Sequence, residues 1–412
     1  MKILTVNASD ALGGAARASY RLHQGLNRIG VQSQMLVQKS SVFSDQIIAP
    51  DNNFKKLAAL ARAKLDYWPL KLYPHKTKTL FSPAWLPCSG FYKMVEESEP
   101  DILHLHWIAN GMVRIEDLAK IKKPIVWTMH DMWPFTGGCH NDEGCGKYKS
   151  RCKSCPVLDS QNQFDLSSLV FKRKEKVYRT ISNLRIIGPS LWLTKCAQES
   201  ILFRGHSVTN IPNPIDTNLY RPMEKNYARD LLNLPKGSKI ILFGAASIDD
   251  PNKNFALLVE LLEQMNMMDV DLIVFGSKRP DVTRDAKLRI KYLGPLYEDL
   301  SMRILYNAAD LVVVPSFQEN LSNVILESMS CGIPVAAFNI GGNPDIIEHK
   351  TCGYLAKPYD LKDLACGIQW ILDNINQKSL AEHARQKIIN CFDVELVSSQ
   401  YRKLYREILD GS

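Results

Sequence analysis

LVVVPSFQENLSNVILE, residues 311–327, contains a strand, a short loop and the start of a helix in direct succession. Its first four residues, Leu311–Val314, form an apolar run that ends at Pro315, whose ring removes a backbone donor. Asn320 is a residue type that caps helices, and the apolar residues after it have helical spacing. The stretch therefore predicts a buried parallel strand that leads into a helix, the repeating unit of α/β proteins.

The same alternation continues along the chain, in two sets separated by the proline-containing segment NIPNPID, residues 210–216. The sequence therefore predicts two doubly wound α/β domains, at residues 1–205 and 206–390. The helical pattern within 391–412 predicts a last helix that packs back on the first domain. The predicted strands are Lys2–Val6, Ser33–Val37, Ile102–His106, Ile125–Met129 and Arg185–Gly188, then Lys239–Phe243, Val270–Phe275, Leu311–Val314 and Pro334–Ala337.

The composition of the 412 residues, 45% hydrophobic and 23% charged, is that of a globular protein and excludes disorder as the main state. No stretch approaches the roughly 18 to 20 uninterrupted apolar residues that a membrane-spanning helix needs. The first ten residues, MKILTVNASD, lack the long apolar segment of a signal peptide. We therefore expect a cytoplasmic protein whose ten cysteines are reduced.

The positive charge is concentrated in the first half of the chain. Residues 1–190 contain 27 Lys and Arg against 16 Asp and Glu, a balance of +11, whereas residues 191–412 contain 24 against 27, a balance of −3. Such a basic half suits an anionic partner. Nucleic acid, an anionic membrane surface and a phosphorylated acceptor all fit this charge.

The loop before the helix in residues 311–327 predicts a ligand site. A helix start offers unpaired N–H groups to an anion, here near Leu321 and Ser322. Glu319 lies in the loop and Glu327 lies two turns along the helix. Carboxylates beside an anion site favour hydroxyl groups as partners, so we expect a phosphate flanked by polyol groups.

Two further candidates lie at strand ends in the first half. Gly13 and Gly14 precede a helical pattern, and such a pair either lets the backbone approach an anion closely or makes a tight turn. His130 follows the apolar run 125–129, at the sheet edge where α/β proteins bind ligands. It either contacts a ligand or is an ordinary loop histidine, and His104 and His106 at another strand end leave the same choice open.

Several segments of this sequence resemble motifs of the family 4 retaining glycosyltransferases. Glu319 and Glu327 have the spacing Glu-x7-Glu, and the other segments are NPID at 213–216, AAD at 308–310, CGIPV at 331–335 and GGNPD at 341–345. HDMWPFTGGC, residues 130–139, is further similar to transferases of the colanic acid and O-antigen type. The resemblance covers nearly the whole chain and implies the GT-B fold, two facing Rossmann-like domains with a cleft between them.

The resemblance also implies a role for each candidate residue. The catalytic residues would be His130, on the acceptor side, and Glu319, which would contact the transferred sugar. Glu327 would bind the ribose hydroxyls and Lys253 the diphosphate. The remaining donor-binding residues would be Gly13, Gly14, Asn320, Leu321 and Ser322.

One element of the family pattern is missing. The family usually has an arginine shortly before the lysine that corresponds to Lys253, but residues 244–247 read GAAS. Arg279 is the substitute that we consider for this phosphate contact.

The predicted activity is the transfer, with retention, of a hexose from a UDP-, GDP- or ADP-sugar to a lipid-linked oligosaccharide during O-antigen, capsule or exopolysaccharide assembly. Catalysis should need no metal, because a lysine and helix N–H groups can neutralise the leaving diphosphate. A nucleotide-sugar 2-epimerase or a phosphorylase of similar fold is an alternative. A basic nucleic-acid-binding protein is another, but it leaves the Glu-x7-Glu segment unexplained, so no nucleic acid is expected as partner.

Four cysteines within 17 residues suggest a structural zinc ion. They are Cys139, Cys145, Cys152 and Cys155, and four thiolates can surround zinc tetrahedrally. Reduced free thiols and disulfides are the competing interpretations.

The segment 53–73 mixes basic residues with Phe, Leu, Trp and Tyr. It fits a helix that lies on the anionic cytoplasmic face of the inner membrane, and equally a surface helix that packs its apolar side on the domain. Peripheral attachment would suit a lipid-linked acceptor.

Overall fold

The computed structural model describes residues 1–11, 13–42, 44–87, 90–267, 269–278, 288–296, 298–375 and 377–411. The chain forms two compact units. The first unit comprises Met1–Asn213 together with Val397–Ser412, and the second comprises Pro214–Leu396. Each unit is an α/β domain with its own parallel sheet.

The sheet of the first unit consists of β1 (Lys2–Ser9), β2 (Gln32–Lys39), β3 (Ile47–Ile48), β4 (Ile102–Leu105), β5 (Ile125–Thr128), β6 (Leu184–Gly188) and β7 (Ser207–Asn210). The strand order is β3-β2-β1-β4-β5-β6-β7, and every pairing is parallel. Val6 of β1 lies opposite Leu36 of β2 and Leu105 of β4. Apolar residues cover both faces of the central strands, so β4 and β5 are buried throughout.

The helices of the first unit are α1 (Gly14–Arg28), α2 (Asn53–Asp66), α3 (Phe91–Glu97), α4 (Leu166–Tyr178) and α5 (Leu191–Glu199). Side-chain caps fix the starts of α4 and α5, because Asp165 accepts from the N–H of Ser168 and Ser190 accepts from that of Leu193. Short 3-10 helices cover Trp68–Leu72, Ile115–Lys120, Trp133–Phe135, Lys147–Lys149, Pro156–Leu158 and Ile201–Phe203.

The sheet of the second unit consists of β8 (Lys239–Gly244), β9 (Val270–Phe275), β10 (Arg289–Gly294), β11 (Leu311–Val314), β12 (Val335–Phe338) and β13 (Gly353–Ala356). The order is β10-β9-β8-β11-β12-β13, again parallel throughout. The helices are α6 (Lys225–Leu231), α7 (Phe255–Gln264), α8 (Asp299–Ala308), α9 (Asn323–Ser330), α10 (Asn343–Ile346), α11 (Leu361–Asn374) and α12 (Lys378–Phe392).

The last helix, α13 (Val394–Asp410), begins in the second unit and enters the first at Val397. Its tyrosines are buried against the first sheet. The Tyr405 hydroxyl lies 2.7 Å from Nδ1 of His104, and the Tyr401 hydroxyl lies 2.8 Å from Oγ1 of Thr128. The end of the chain is thus part of the core of the first unit.

Each apolar run predicted as a strand is a strand, but the domain boundary differs from the one predicted. The first unit ends at Asn213 rather than at 205, because β7 pairs with β6 in the first sheet. The second unit extends to Leu396 rather than to 390, because Ile215 pairs with Asp393. Four strands that the sequence did not predict are β3, β7, β10 and β13.

No helix among the described residues is both long enough and apolar enough to cross a membrane.

Candidate functional site

A large cavity of about 1140 Å³ lies in the first unit, at the carboxyl edge of its sheet. Residues that follow β1, β2, β4 and β5 line it, and between β1 and β4 the chain order of the strands changes direction. Ligands bind at such switch points in open α/β sheets. The cavity brings together the predicted residues Gly13, Gly14 and His130 with Ser9, Lys39, Lys56, Trp107 and Asp131.

The glycine pair forms the start of α1. Gly13 has φ +95°, a conformation that a residue with a side chain rarely adopts, and α1 begins at Gly14 without a side-chain cap. Both glycines line the cavity. The start of a helix therefore lines the cavity, and helix starts favour anions.

Asp10 was not predicted, yet it shapes this cavity. Its carboxylate accepts from Ser40 Oγ at 2.6 Å, from Ser41 N at 2.8 Å and from Val42 N at 3.0 Å. Burial raises the pKa of Asp10, but these donors outweigh burial and lower it. The carboxylate thus fixes the loop that follows β2 along the cavity wall.

Asp131 organises the part of the cavity next to His130. It accepts from Trp107 Nε1 at 2.8 Å and from Trp133 N at 2.9 Å, and His140 Nδ1 lies 2.7 Å from its Oδ2. Burial raises the pKa of Asp131, but His140 and these donors lower it overall. Burial has the larger effect on His130 and lowers its pKa to about 4, although Asp131 acts in the opposite direction. The imidazole of His130 is therefore neutral at pH 7.

The second unit has its own candidate site at its own switch point, between β8 and β11. Lys253 follows β8, Glu319 follows β11, and Lys253 Nζ lies 2.5 Å from Oε1 of Glu319. Ser316 Oγ donates to the same oxygen at 2.8 Å. Burial lowers the pKa of Lys253, but Glu319 and Asp250 raise it overall, so the lysine keeps its charge.

The two loops that carry this ion pair are joined by Asn252, which the sequence did not reveal. Its Oδ1 accepts from Gln318 N at 2.8 Å and its Nδ2 donates to Gln318 O at 2.9 Å. Gly341 lies against the same loop, and a Cβ there would meet Glu319 O at 1.8 Å. The position of Glu319 therefore depends on residues from three separate parts of the chain.

The predicted helix start needs a correction. α9 begins at Asn323 with Ser322 as its N-cap residue, so Asn320 does not cap it and the first-turn N–H groups belong to Asn323 and the residues after it rather than to Leu321 and Ser322. The apolar spacing was right, but Ser and Asn are both good cap residues, and the loop is two residues longer than predicted.

Glu327 lies on α9 and is 1% exposed. The Tyr306 hydroxyl donates to its Oε2 at 2.8 Å. A carboxylate buried in this way has a fixed orientation, as a specific hydroxyl acceptor requires. The structure places Glu327 and Glu319 in the same unit as Lys253, while Arg279 lies outside the described residues.

The four clustered cysteines are free thiols in the first unit. Gly137 N–H donates to Sγ of Cys152 at 3.2 Å. Among the described residues, no three His, Cys, Asp or Glu side chains stand together as a group that could hold a metal ion. The zinc hypothesis stays a prediction, and we derive no step through a metal.

Comparison with known proteins identifies the class. The sequence pattern of the family described as "Glycosyltransferase Family 4" matches residues 12–219, and that of the family described as "Glycosyl transferases group 1" matches residues 238–374. With two parallel-sheet domains, each with a candidate site at its switch point, the chain is a glycosyltransferase with the GT-B fold, as predicted. It belongs to glycosyltransferase family 4.

Relatives are similar over most of their length. A D-inositol 3-phosphate glycosyltransferase of Thermobispora bispora is 27% identical over 332 residues, 77% of this chain and 73% of the relative. The putative colanic acid biosynthesis glycosyl transferase WcaC of Escherichia coli K12 is 24% identical over 370 residues, 84% of this chain and 85% of the relative. The crystal structure of Anabaena Alr3699/HepE in complex with UDP matches with a TM-score of 0.64 at 19% identity, covering 99% of this chain and 100% of that one.

Proposed function

We propose that this glycosyltransferase moves a hexose, with retention of configuration and without a metal, from a nucleotide sugar to a lipid-linked saccharide in surface polysaccharide assembly. The observation that carries the donor half of the proposal is the Lys253–Glu319 pair at the switch point of the second unit. Similarity to a HepE structure that holds UDP, and to WcaC, supports the substrate class.

The ion pair suits a donor that contains both charges and hydroxyls. When a diphosphate binds Lys253, the ammonium leaves Glu319, and this carboxylate becomes free to accept hydrogen bonds from sugar hydroxyls. Lys253 then neutralises the charge that develops on the diphosphate as the glycosidic bond breaks. The acceptor hydroxyl attacks from the departing face, which retains the configuration at the sugar carbon, and its proton passes to the leaving diphosphate oxygen.

The acceptor half of the proposal rests on α2 and the 3-10 helix after it. Of the residues of α2, Asp66 is the one fully buried, and large apolar side chains are exposed. Phe54 is 81% exposed, Leu57 66% and Leu72 77%. Lys55, Lys64 and Lys71 lie among them. Such an apolar and basic surface favours insertion into an anionic membrane.

The position of this surface suits a lipid-linked acceptor. Lys56, Ala59, Leu60 and Ala63 of the same helix line the cavity of the first unit. If α2 rests on a membrane, the head group of a lipid-linked saccharide is brought to the cavity mouth without leaving the bilayer. We infer peripheral attachment to the cytoplasmic face of the inner membrane.

The donor proposal is tested by thermal unfolding with UDP, GDP and ADP and the corresponding nucleotide sugars. A ligand at about 100 times its Kd stabilises the folded state by roughly 2.7 kcal/mol. We expect one base to stabilise the wild type and Glu327→Ala to lose that effect. No stabilisation by any nucleotide would contradict the proposal. Product analysis with donor alone then separates a transferase from an epimerase.

The membrane proposal is tested by co-sedimentation with vesicles that contain anionic lipid at low salt. Phe54→Ser should weaken binding about tenfold, because a buried Phe side chain contributes about 1.5–3 kcal/mol. Phe164→Ser is the matched control, since Phe164 is 74% exposed and lies outside α2. Equal losses in the two variants, or no binding by the wild type, would remove this part of the proposal.

A further inference from the structure

A buried histidine lies directly behind His130. Nδ1 of His106 is 2.9 Å from Nε2 of His130, and the two rings are stacked with centroids 5.2 Å apart. His106 follows β4 and His130 follows β5, and these strands are neighbours in the sheet. His130 lines the cavity, whereas His106 is 3% exposed. The pair therefore connects the cavity wall to the core.

The direction of this hydrogen bond follows from the other nitrogen of His106. A neutral imidazole has one N–H and one acceptor nitrogen. Nε2 of His106 is buried and has no hydrogen-bond partner among the described residues. If His130 donated the bond, the single proton of His106 would lie on that nitrogen, as a buried N–H without an acceptor. Such orphaned donors are rare and costly, so the proton belongs on Nδ1 of His106.

Each of the two imidazoles carries one N–H, as this placement of the proton requires, because His106 and His130 are both neutral. Burial lowers the pKa of His106 well below its usual value, and the neighbouring His104 and His130 lower it further. Burial also lowers the pKa of His130 to about 4, and Asp131 acts in the opposite direction. At pH 7 neither ring carries a second proton.

The core holds His106 in this orientation. The ring of His104 packs on it with centroids 4.2 Å apart. His104 is itself fixed, because its Nε2 lies 2.8 Å from Thr128 Oγ1 and its Nδ1 lies 2.7 Å from the Tyr405 hydroxyl. Trp127 Nε1 donates to the His106 carbonyl at 3.0 Å.

We propose that His106 is a positioning residue that donates from Nδ1 to Nε2 of His130 and so fixes His130 as the Nδ1–H tautomer. The one basic nitrogen of His130 is then occupied by a protein donor. His130 consequently cannot take a proton from the acceptor hydroxyl through that nitrogen. The consequence for catalysis rests on the proposed function, whereas the tautomer itself does not.

The tautomer is measured by nitrogen–proton correlation NMR on the full chain labelled with nitrogen-15 in histidine, with His130→Asn used to assign the signals. We expect the wild type to show a proton on Nδ1 of His130 and an unprotonated Nε2. His106→Phe removes the donor and should release this preference. His349→Gln, an exposed position in the second unit, should leave the His130 signals unchanged.

Kinetics separate positioning from packing. With the nucleotide sugar that stabilises the wild type, His106→Phe should lower kcat about tenfold, the effect of one hydrogen bond, with little change in KM for the donor. His106→Asn should restore most of the rate, because its amide can donate from the position of Nδ1, although Asn fills the space less well than Phe.

The NMR measurement needs no substrate, so failure of the proposed function and failure of this inference are distinguishable. A proton on Nε2 of His130 in the wild type overturns the inference, whatever the activity. It is also overturned if His106→Asn loses the Nδ1–H tautomer. Should His106→Phe not fold, the wild type and His106→Asn still decide the question.

Discussion

At the switch point of the first unit, the side chains around the cavity form hydrogen-bonded networks, and the histidine that faces the cavity is neutral. At the switch point of the second unit, a lysine and a glutamate form an ion pair at 2.5 Å. Two domains of the same architecture thus present different chemistry at the same place in the sheet. Neutral donors and acceptors suit sugar hydroxyls, whereas an ion pair suits a ligand that brings its own charge.

The largest effect on stability is expected from removing a buried carboxylate of the second unit that lies outside its candidate ligand site. Asp310 is buried and pairs with Lys225 at 2.6 Å and with Arg229 at 2.7 Å. Asp310→Asn should lower the free energy of unfolding by about 3–5 kcal/mol, since it leaves the buried guanidinium of Arg229 uncompensated. Chemical denaturation measures this, with hydrogen exchange to locate the loss in the second unit.

Asp271→Asn is the control for that prediction. Asp271 pairs with Arg289, whose side chain is 57% exposed, so its loss should cost less than about 1 kcal/mol. Similar losses for the two variants would mean that burial does not distinguish these ion pairs.

The next largest effect concerns the ion pair of the candidate donor site. Lys253→Met should reduce the transfer rate about 100-fold, because it removes the cation expected to neutralise the leaving diphosphate. Lys362→Met, on the exposed side of α11, serves as control. A rate within threefold of wild type for Lys253→Met would assign the diphosphate contact to other groups.

A smaller effect is expected when the pH is lowered, and it should reduce the stability of the first unit more than that of the second. Burial lowers the pKa of His23 to about 4, of His104 to about 3 and of His130 to about 4, and all three lie in the first unit. The unfolded chain therefore binds more protons than the folded one below the usual histidine pKa of 6.5. The contribution of these histidines to stability is full above pH 6.5 and falls as the pH is lowered from about 6.5 toward 4.

Hydrogen exchange at pH 7 and pH 5, corrected for intrinsic rates, is the measurement. Peptides of the first sheet should lose protection at pH 5, and those of the second sheet should change less. A uniform loss in both units would show that these histidines do not govern the acid response.

The smallest effect tests the cysteine segment. Elemental analysis of protein purified without chelators should show less than stoichiometric zinc if the free thiols of the structure are the state in solution. One zinc per chain would instead confirm the zinc hypothesis and give the first unit a charged centre of its own.

The sequence predicted the central strands but not the edge strands, for a physical reason. β1, β4, β5 and β11 are buried on both faces and appear as continuous apolar runs. β7 is largely exposed and polar, and β3 has two residues, so neither leaves an apolar signal. The domain boundary was misplaced for the same reason, because β7 is the strand that extends the first unit.

The candidate sites divide in a similar way. Glu319 and Lys253 were found because their local motifs resemble a family, and the structure brings them together. Asn252, Asp10 and His106 were not assigned roles, because each acts through a partner distant in sequence. Asp10 follows β1 directly but lies beyond the end of the predicted strand Lys2–Val6, and its partners Ser40 and Ser41 are some thirty residues away.

The return of α13 to the first unit has a consequence for how such a protein can be recombined. The chain passes between the units twice, at Asn213 and at Leu396. An exchange of second units between relatives that joins the chains only near Asn213 would also replace Tyr401 and Tyr405, which contact Thr128 and His104 in the core of the first unit. A functional chimera therefore needs two junctions, so that the last sixteen residues are inherited together with the amino-terminal half.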